Sequence, residues 1–256
     1  MIQLQKVNLF GINLSNLYTH ELEAIIHTTI KNKDKKHFSF TAVNALIDAR
    51  KNNLLPLYNK IDYVLADGKP LVWASKFLGT PIVERLTGLD FTPNILDIAH
   101  KHNYSVYFFG ASPGIASKLE AFAKLKYPNF NSAGFYTPPF KPYFSKEDSL
   151  CFINEINQTK PDILLVSLTA PKQDIWIQEN LHHLNTKVIM SVGGAFEVTA
   201  GLKRRSPEFM QKNGLEWLYR FLQDPKRLFK RYFIEAPIFF PLVIQQKIFP
   251  EKFKIH

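Results

Sequence analysis

Short runs of hydrophobic residues alternate along the chain with longer segments in which hydrophobic residues recur every three or four positions. The short runs are typical of buried β-strands, which we predict near residues 5–9, 38–42, 61–65, 105–110, 132–136, 162–168 and 187–192. The longer segments are typical of amphipathic helices, which we predict near residues 20–31, 44–53, 69–78, 92–102, 113–127, 146–158 and 171–183. Because the two alternate, the pattern predicts an α/β fold with a mostly parallel, doubly wound, Rossmann-like sheet and helices on both faces.

Three pairs in which serine or threonine precedes proline are typical of helix starts, because the side-chain hydroxyl can cap the helix and proline suits its first position. The pairs are Thr92-Pro93, Ser112-Pro113 and Ser206-Pro207. After Gly214 the pattern changes, and helical segments follow one another without strands between them. We therefore predict an α/β domain over residues 1–204 and a helical C-terminal appendage over residues 205–256.

The appendage carries most of the positive charge. The chain has a net charge of +10, and from Lys203 to His256 twelve Lys or Arg stand against five Asp or Glu. A basic segment of this kind favours an anionic partner such as nucleic acid, acidic lipid headgroups or a phosphorylated substrate.

The hydrophobic part of the appendage is too short to cross a bilayer. It has about a dozen residues before Lys247, whereas a spanning helix needs roughly 20. The interleaved basic and aromatic residues favour a helix that lies at an anionic membrane surface, where each cation contributes about 1 kcal/mol. In the alternative interpretation the aromatic residues pack on the main domain or on a sister subunit in a homo-oligomer. These aromatic residues, which the pattern predicts to be exposed, are Phe229, Tyr232, Phe233, Phe239 and Phe240.

Cysteine and histidine usage limits the chemistry. Cys151 is the single cysteine, so an internal disulfide is excluded, and the amino end has no signal-peptide pattern. We therefore expect the protein in the cytoplasm. The eight histidines have no metal-ligand spacing, and we predict no metal and no cofactor.

Polar residues follow the predicted strands. The carboxyl ends of parallel strands share one edge of the sheet, and ligands bind there in open α/β folds. The residues at this edge, in chain order, are Thr41, Asn44, Asp67, Gly68, Gly110, Ser112, Gly114, Thr169, Lys172, Gln173, Gly193, Gly194 and Glu197.

The local pattern leaves the roles of these residues open. Asp67 has three interpretations: a turn residue in an Asp-Gly pair, a cap for a helix that begins near Lys69, or a catalytic base; the first two are commoner. Arg85 has the fork-shaped guanidinium that suits a carboxylate or a diphosphate, although most arginines form surface ion pairs.

Two loops open predicted helices and could bind phosphate. FFGASPG, residues 108–114, follows a strand and would offer backbone N–H groups to a phosphate; a plain tight turn fits equally well. TAPKQD, residues 169–174, lets Lys172 and Gln173 donate to a ligand, or it forms an ordinary first turn in which Asp174 complements the helix dipole.

Seven motifs together resemble, in sequence order, the WecG/TagA/CpsF glycosyltransferases, family 26. They are FTAVNA (40–45), ADGKPLVW (66–73), ERLTGLD (84–90), FFGASPG (108–114), APKQD (170–174), VGGAFEVTAGLKRRSP (192–207) and GLEWLYRFLQDPKRLFKRY (214–232). The resemblance covers roughly residues 5–233.

The resemblance implies an inverting, metal-independent hexosyltransferase of cell-surface polysaccharide synthesis. It would move an N-acetylmannosamine-type sugar from a UDP donor to a polyprenyl-diphosphate-linked N-acetylglucosamine. Asp67 matches the aspartate that takes the proton from the acceptor hydroxyl, and Thr41 and Asn44 match the polar pair beside it. Arg85 and Gln173 match residues that hold the donor. The other substrate-binding residues implied are Gly68, Asp90, Gly110, Ser112, Pro171, Lys172, Gly193, Glu197, Arg220, Arg227 and Arg231.

The last three arginines lie in the appendage, which the resemblance implies docks on the inner face of the cytoplasmic membrane and closes over the active site. The chain departs from the family pattern at Glu197, usually aspartate, at Asp174, usually glutamate, and in the proline-rich segment 135–145. The resemblance therefore does not define which sugar and which acceptor are used.

Two other function classes fit parts of the pattern. A Rossmann-type oxidoreductase fits the predicted sheet, but the glycine fingerprint and the acidic residue that follows it are missing. A nucleic-acid-binding protein fits the basic appendage, but no recognised nucleic-acid module is present. We therefore expect a UDP-sugar donor, a lipid-linked acceptor and an anionic membrane surface as partners, and no nucleic acid.

Overall fold

The computed structural model describes residues 5–254 and has a six-stranded parallel sheet covered by helices on both faces. The predicted α/β fold is confirmed. The strands are β1 Lys6–Leu9, β2 Ile12–Ser15, β3 Lys36–Thr41, β4 Tyr63–Ala66, β5 Val106–Gly110, β6 Ser132–Tyr136, β7 Ile163–Ser167 and β8 Val188–Ser191. The order across the sheet is β4-β3-β8-β7-β5-β6, so the carboxyl ends of six strands share one edge.

The helices before residue 204 follow the predicted order. Their bounds are α1 Thr19–Lys31, α2 Val43–Lys51, α3 Leu55–Lys60, α4 Lys69–Leu78, α5 Gly88–His102, α6 Ile115–Lys126, α7 Lys146–Thr159, α8 Lys172–Asn180 and α9 Ala195–Thr199. Two short helices, α3 and α9, were not predicted from the periodicity, because a helix of five or six residues contains little more than one turn of pattern.

The two faces of the sheet have different chemistry at β3. Phe38 and Phe40 point into a hydrophobic layer that α1, α5, α6 and α9 cover. The alternate residues His37, Ser39 and Thr41 are also buried, and they face the opposite layer. The period-two pattern therefore places a row of polar side chains inside the molecule. This row ends with Thr41 at the carboxyl edge of the sheet.

The first predicted strand belongs to a separate hairpin. β1 and β2 pair antiparallel, with Leu9 opposite Ile12, and the two turn residues Phe10 and Gly11 both have positive φ, 57° and 89°. Such a turn matches the twist of a hairpin but normally carries Asn-Gly or Asp-Gly. Because Phe10 occupies the first position, the sequence lacked the usual hairpin signal and β2 was not predicted.

All three predicted caps were wrong in position. The N-cap of α5 is Thr87, whose Oγ1 accepts from the Asp90 N–H at 3.0 Å, so Pro93 lies inside the helix. The early start depends on Gly88, since a Cβ there would come 2.7 Å from the Val192 carbonyl oxygen. The N-caps of α6 and of the first appendage helix are Gly114 and Pro207.

The chain after residue 204 is helical. Its elements are α10 Glu208–Lys212, α11 Glu216–Gln223, α12 Pro225–Phe229, a π-helical turn Lys230–Glu235, a 3₁₀ turn Ala236–Ile238, α13 Phe239–Ile248 and a 3₁₀ turn Pro250–Phe253. Pro237 provides no backbone N–H and lies in the 3₁₀ turn before α13, whereas Pro241 lies in the first turn of α13, where no intrahelical N–H donor is needed.

The end of the appendage packs on the hairpin. The rings of Phe239 and Phe253 lie 5.4 and 6.3 Å from the ring of Phe10, and the Gln246 side chain accepts from the Phe10 N–H and donates to the Asn8 carbonyl. Phe239 is only 5% exposed, so its predicted exposure was wrong. Each such buried ring contributes about 1.5–3 kcal/mol, so this segment is an integral part of the core.

The outer face of α13 remains hydrophobic. Phe240, Ile244 and Ile248 recur every four residues and are 69%, 54% and 61% exposed. Within residues 5–254, no helix combines the length and the hydrophobicity that a bilayer crossing requires.

Candidate active site at the carboxyl edge of the sheet

The ends of β3 and β4 bring two predicted site residues together. Thr41 pairs with Ala66 in the sheet, and the Asp67 N–H donates to the Thr41 carbonyl at 3.0 Å. The Thr41 hydroxyl is buried and lies 3.0 Å from the Ser39 hydroxyl. Gly68 then turns the chain into α4 with φ of 126°, which a side chain would strain, and it is the N-cap residue. Asp67 is therefore not the cap of this helix.

The Asp67 carboxylate is half-buried and faces the Gly88 N–H. Burial raises its pKa to about 6, and Glu216 adds to this effect, while Arg220, Arg85 and the Gly88 N–H act in the opposite direction. A carboxylate with this pKa is ionised at neutral pH but takes up a proton readily, which are the properties of a general base.

Arginines and carboxylates alternate beside Asp67. Arg85 donates to Asp90 at 2.9 Å and to Glu216 at 3.1 Å, and the second oxygen of Glu216 accepts from Arg220 at 3.1 Å. Asp90 also pairs with Arg205. Arg85, Asp90 and Arg220 were predicted as site residues, whereas Glu216 and Arg205 were not.

A second appendage arginine reaches the same strand end. Arg231 donates to Asn44 Oδ1 at 2.6 Å, which joins the π-helical turn to the first turn of α2. Arg227 is different, because its side chain is 63% exposed and pairs with Asp224 of its own segment. The structure thus brings two of the three predicted appendage arginines, Arg220 and Arg231, to the edge where β3 and β4 end.

The loops after β5, β7 and β8 contact one another. The Ala111 N–H donates to the Ser167 carbonyl at 2.6 Å, and the Ser167 hydroxyl donates to the Gly193 carbonyl at 2.6 Å. A Cβ at Gly110 would overlap the Ser167 carbonyl, so glycine is required there. Ser112 is exposed in the same loop, just before the 12-residue helix α6. The loop is thus placed where it can offer N–H groups to an anion.

The first two residues of α8, Lys172 and Gln173, have different surroundings. The Lys172 ammonium lies 3.6 Å from the centre of the Phe144 ring and donates to the Lys141 carbonyl, so it holds the proline-rich segment. Gln173 is 2% exposed, and its Oε1 has no hydrogen-bond partner among the described residues.

The predicted site residue Glu197 lies at the start of α9 and pairs with Lys203.

Asp174 lies in a closed polar network beneath α8. It is 1% exposed, and its Oδ2 accepts from the Tyr58 hydroxyl at 3.0 Å. His37 lies 3.6 Å from its Oδ1 and contacts Ser191 and Gln178 at 2.9 and 2.8 Å. Burial raises the pKa of Asp174 and lowers the pKa of His37 to about 3. His37 is therefore neutral at physiological pH.

Metal ligands do not converge in the described chain. Across residues 5–254, no three His, Cys, Asp or Glu side chains come close enough together to hold a metal ion. Arg220 and Arg85 are two cations that face Asp67 at the carboxyl edge.

Comparison with known proteins identifies the family. The model of the WecG/TagA/CpsF glycosyl transferase family matches residues 7–253. An N-acetylglucosaminyldiphosphoundecaprenol N-acetyl-beta-D-mannosaminyltransferase of Staphylococcus aureus strain MRSA252 is 31% identical over 87% of this chain and 87% of its own length. The proteins of the same name from strains MW2 and NCTC 8325 are each 30% identical over the same shares. The chain therefore belongs to the WecG/TagA/CpsF family of glycosyl transferases.

Proposed function

We propose that this protein transfers an N-acetylmannosamine-type sugar from a UDP donor to a polyprenyl-diphosphate-linked N-acetylglucosamine, with inversion and without a metal. Family membership supports sugar transfer, and the names of the Staphylococcus relatives support the sugar and the lipid-linked acceptor. The observation that carries the proposal is the position of Asp67 at two adjacent strand ends, beside Arg85 and Arg220.

The chemical step is a single displacement in which Asp67 is the base. The acceptor hydroxyl oxygen attacks the anomeric carbon, and its proton passes to the Asp67 carboxylate. The bond between the anomeric carbon and the diphosphate oxygen breaks, and UDP leaves with the electron pair. Thr41 and Asn44, which lie at the end of β3 and the start of α2, position the acceptor beside the base.

The leaving diphosphate requires positive charge. Arg85 and Arg220 provide guanidinium groups next to Asp67, and Asp90 orients Arg85. Gln173 has a buried oxygen without a partner among the described residues, which supports a role in holding the donor. Gly68, Gly110, Ser112, Pro171, Lys172, Gly193 and Glu197 complete the proposed donor surface along the carboxyl edge.

The appendage, residues 205–256, is proposed to hold the transferase domain, residues 1–204, at the inner face of the cytoplasmic membrane. The exposed hydrophobic stripe of α13, formed by Phe240, Ile244 and Ile248, and the net positive charge of the appendage support this placement. Arg220, Arg227 and Arg231 would then contact the diphosphate of the lipid-linked acceptor or that of the UDP donor. The lipid tail of the acceptor would stay in the bilayer.

A panel of nucleotide sugars tests the proposal. Purified protein is incubated with a polyprenyl-diphosphate N-acetylglucosamine and one donor at a time, in buffer with a metal chelator, and the product is identified by mass and anomeric configuration. We expect one N-acetylhexosamine to be added from UDP-N-acetylmannosamine, with inversion. Transfer from a different donor only, or transfer that requires a metal, contradicts the corresponding part of the proposal.

A further inference from the structure

Glu216 connects the appendage to the sheet domain through two arginines. Its Oε2 accepts from Arg85 Nη1 at 3.1 Å and its Oε1 accepts from Arg220 Nη2 at 3.1 Å. Arg85 precedes α5, and Arg220 lies one turn after Glu216 in α11. The side chains of Glu216 and Arg85 are each 16% exposed, so this pair is well shielded from water.

We propose that Glu216 is a positioning residue that holds Arg85 and Arg220 together beside Asp67 and completes the charge balance of the site. The inference rests on the proposed role of Asp67 as the base. Glu216 acts through the arginines and through the field at Asp67, and it does not itself touch the reacting atoms.

Two like charges meet at this point, and Glu216 separates them. Without a carboxylate between them, the guanidinium groups of Arg85 and Arg220 would repel each other in a partly desolvated place. Asp90 also holds Arg85, so in Glu216→Gln, whose amide oxygen still accepts one hydrogen bond, Arg85 and Arg220 would stay near Asp67 but with less precise directions. The carboxylate therefore fixes both the direction of Arg85 and the closeness of α11 to the sheet edge.

The charge balance at Asp67 depends on groups from several elements. Arg220 and Glu216 face it from α11, Arg85 faces it from the segment before α5, and the Gly88 N–H faces it from α5. Removal of the Glu216 charge leaves an excess of positive charge around Asp67. Asp67 then becomes a weaker base that loses its proton at lower pH.

The substitution Glu216→Gln tests this role, because glutamine keeps the shape but removes the charge and one of the two acceptors. We expect kcat to fall about 10- to 100-fold, since misplaced positioning groups cost this much, with a small change in the KM for the donor. We also expect the acid limb of the kcat/KM profile to move to lower pH by on the order of one unit.

Two further variants make the result specific. Glu216→Asp keeps the charge on a shorter arm and should restore the position of the acid limb, even if kcat recovers only in part. Glu208→Gln is the matched control, because Glu208 is an exposed residue of α10 that pairs with Lys212 one turn away. It should have the activity and the pH profile of the wild-type protein. The melting temperature of each variant reports whether it is folded.

The outcomes separate this inference from the proposed function. A Glu216→Gln protein with wild-type kcat, or one with low kcat and an unmoved acid limb, overturns the positioning role. If Glu216→Gln fails to fold, an acid limb of Glu216→Asp that differs from the wild-type limb overturns it. If the wild-type protein transfers no sugar, or Asp67→Asn stays active, the proposed function has failed instead.

Discussion

Asp67 and Asp174 are two carboxyl groups whose pKa is raised by burial, yet their surroundings differ completely. Asp174 is enclosed by the Tyr58 hydroxyl and a neutral His37 and has almost no exposed surface. Asp67 is half-buried at a strand end, with two arginines and Glu216 close by. The difference teaches that burial alone does not distinguish a catalytic base. The role proposed for Asp67 also requires access for the acceptor, and the proposed site requires positive charge for the leaving group.

The closed network has a structural purpose that its contacts explain. Asp174 in α8 binds Tyr58 in α3 and lies near His37 in β3, so it joins three elements beneath one face of the sheet. The Ser39 hydroxyl contacts the Thr41 hydroxyl in the same row, so this network ends at the proposed active site. Its rigidity would help to keep the strand end in place.

Substitution of Asp67 should have the largest effect on activity. Asp67→Asn removes the base while it keeps the shape, so we expect the transfer rate to fall about 10²- to 10⁴-fold, with UDP binding by calorimetry nearly unchanged. Asp97→Asn, which changes an exposed carboxylate of α5 paired with Lys101, is the control and should retain activity. Turnover near the wild-type rate by Asp67→Asn would remove Asp67 from its role.

Adjacent phenylalanines in α13 test whether the appendage is part of the core. Phe239→Ala should lower the free energy of unfolding by about 3–5 kcal/mol, because the ring packs on Phe10 in a closed layer. Phe240→Ala, one residue later and 69% exposed, should change it by less than about 0.5 kcal/mol. Urea unfolding measures both, and equal effects of the two substitutions would contradict the packing described for α13.

The two aspartates should also differ in their effect on stability. Asp174→Ala leaves the Tyr58 hydroxyl without its acceptor, and we expect a loss of about 2–3 kcal/mol. Asp67→Asn should not destabilise the protein, because Asp67 is a carboxyl group whose pKa is raised from 3.8 to about 6 in the fold. Its ionisation costs stability as pH rises through this range, and asparagine avoids that cost. Equal destabilisation by both substitutions would erase the distinction between the two sites.

Substitutions in the exposed stripe of α13 should have the smallest effect, and this effect should be on membrane binding and not on activity. Phe240→Ser with Ile244→Ser should weaken binding to vesicles with anionic lipid several-fold, since two hydrophobic side chains no longer enter the interface. Activity on a soluble acceptor analogue should be unchanged. If vesicle binding is unaffected and sedimentation instead shows a smaller particle, the stripe packs on a sister subunit.

Local pattern was sufficient for most of the fold and for the position of Thr41 and Asp67 at the sheet edge, whereas their proposed roles rest on the family resemblance. Alternation of strands and helices placed Thr41 and Asp67 after parallel strands, and parallel strands bring their carboxyl ends to one edge, where the two residues are in contact. The hairpin was missed because Phe10 stands where an asparagine or aspartate usually signals the turn. The start of α5 was misplaced because the packing of Gly88 on Val192 is not a local feature.

Long-range partners could not be predicted in the same way. Glu216 and Arg85 are 131 residues apart, and the sequence around Glu216 shows only an ordinary helical pair with Arg220. Phe239 and Phe240 are identical in type and adjacent, yet one is buried and the other exposed, because the orientation of α13 depends on contacts with the hairpin. Tertiary packing, and not the local sequence, therefore determines which of the two side chains is buried.

The pH dependence of kcat/KM for the wild-type protein tests the central claim most directly. Asp67 must be ionised to take the acceptor proton, so activity should be full above its pKa of about 6 and should fall about tenfold per pH unit below it. Circular dichroism over the same pH range shows that the protein stays folded. A profile with a single acid limb near pH 6 is the predicted result. A flat profile through this range, from a protein that remains folded, would contradict the assignment of Asp67 as the base.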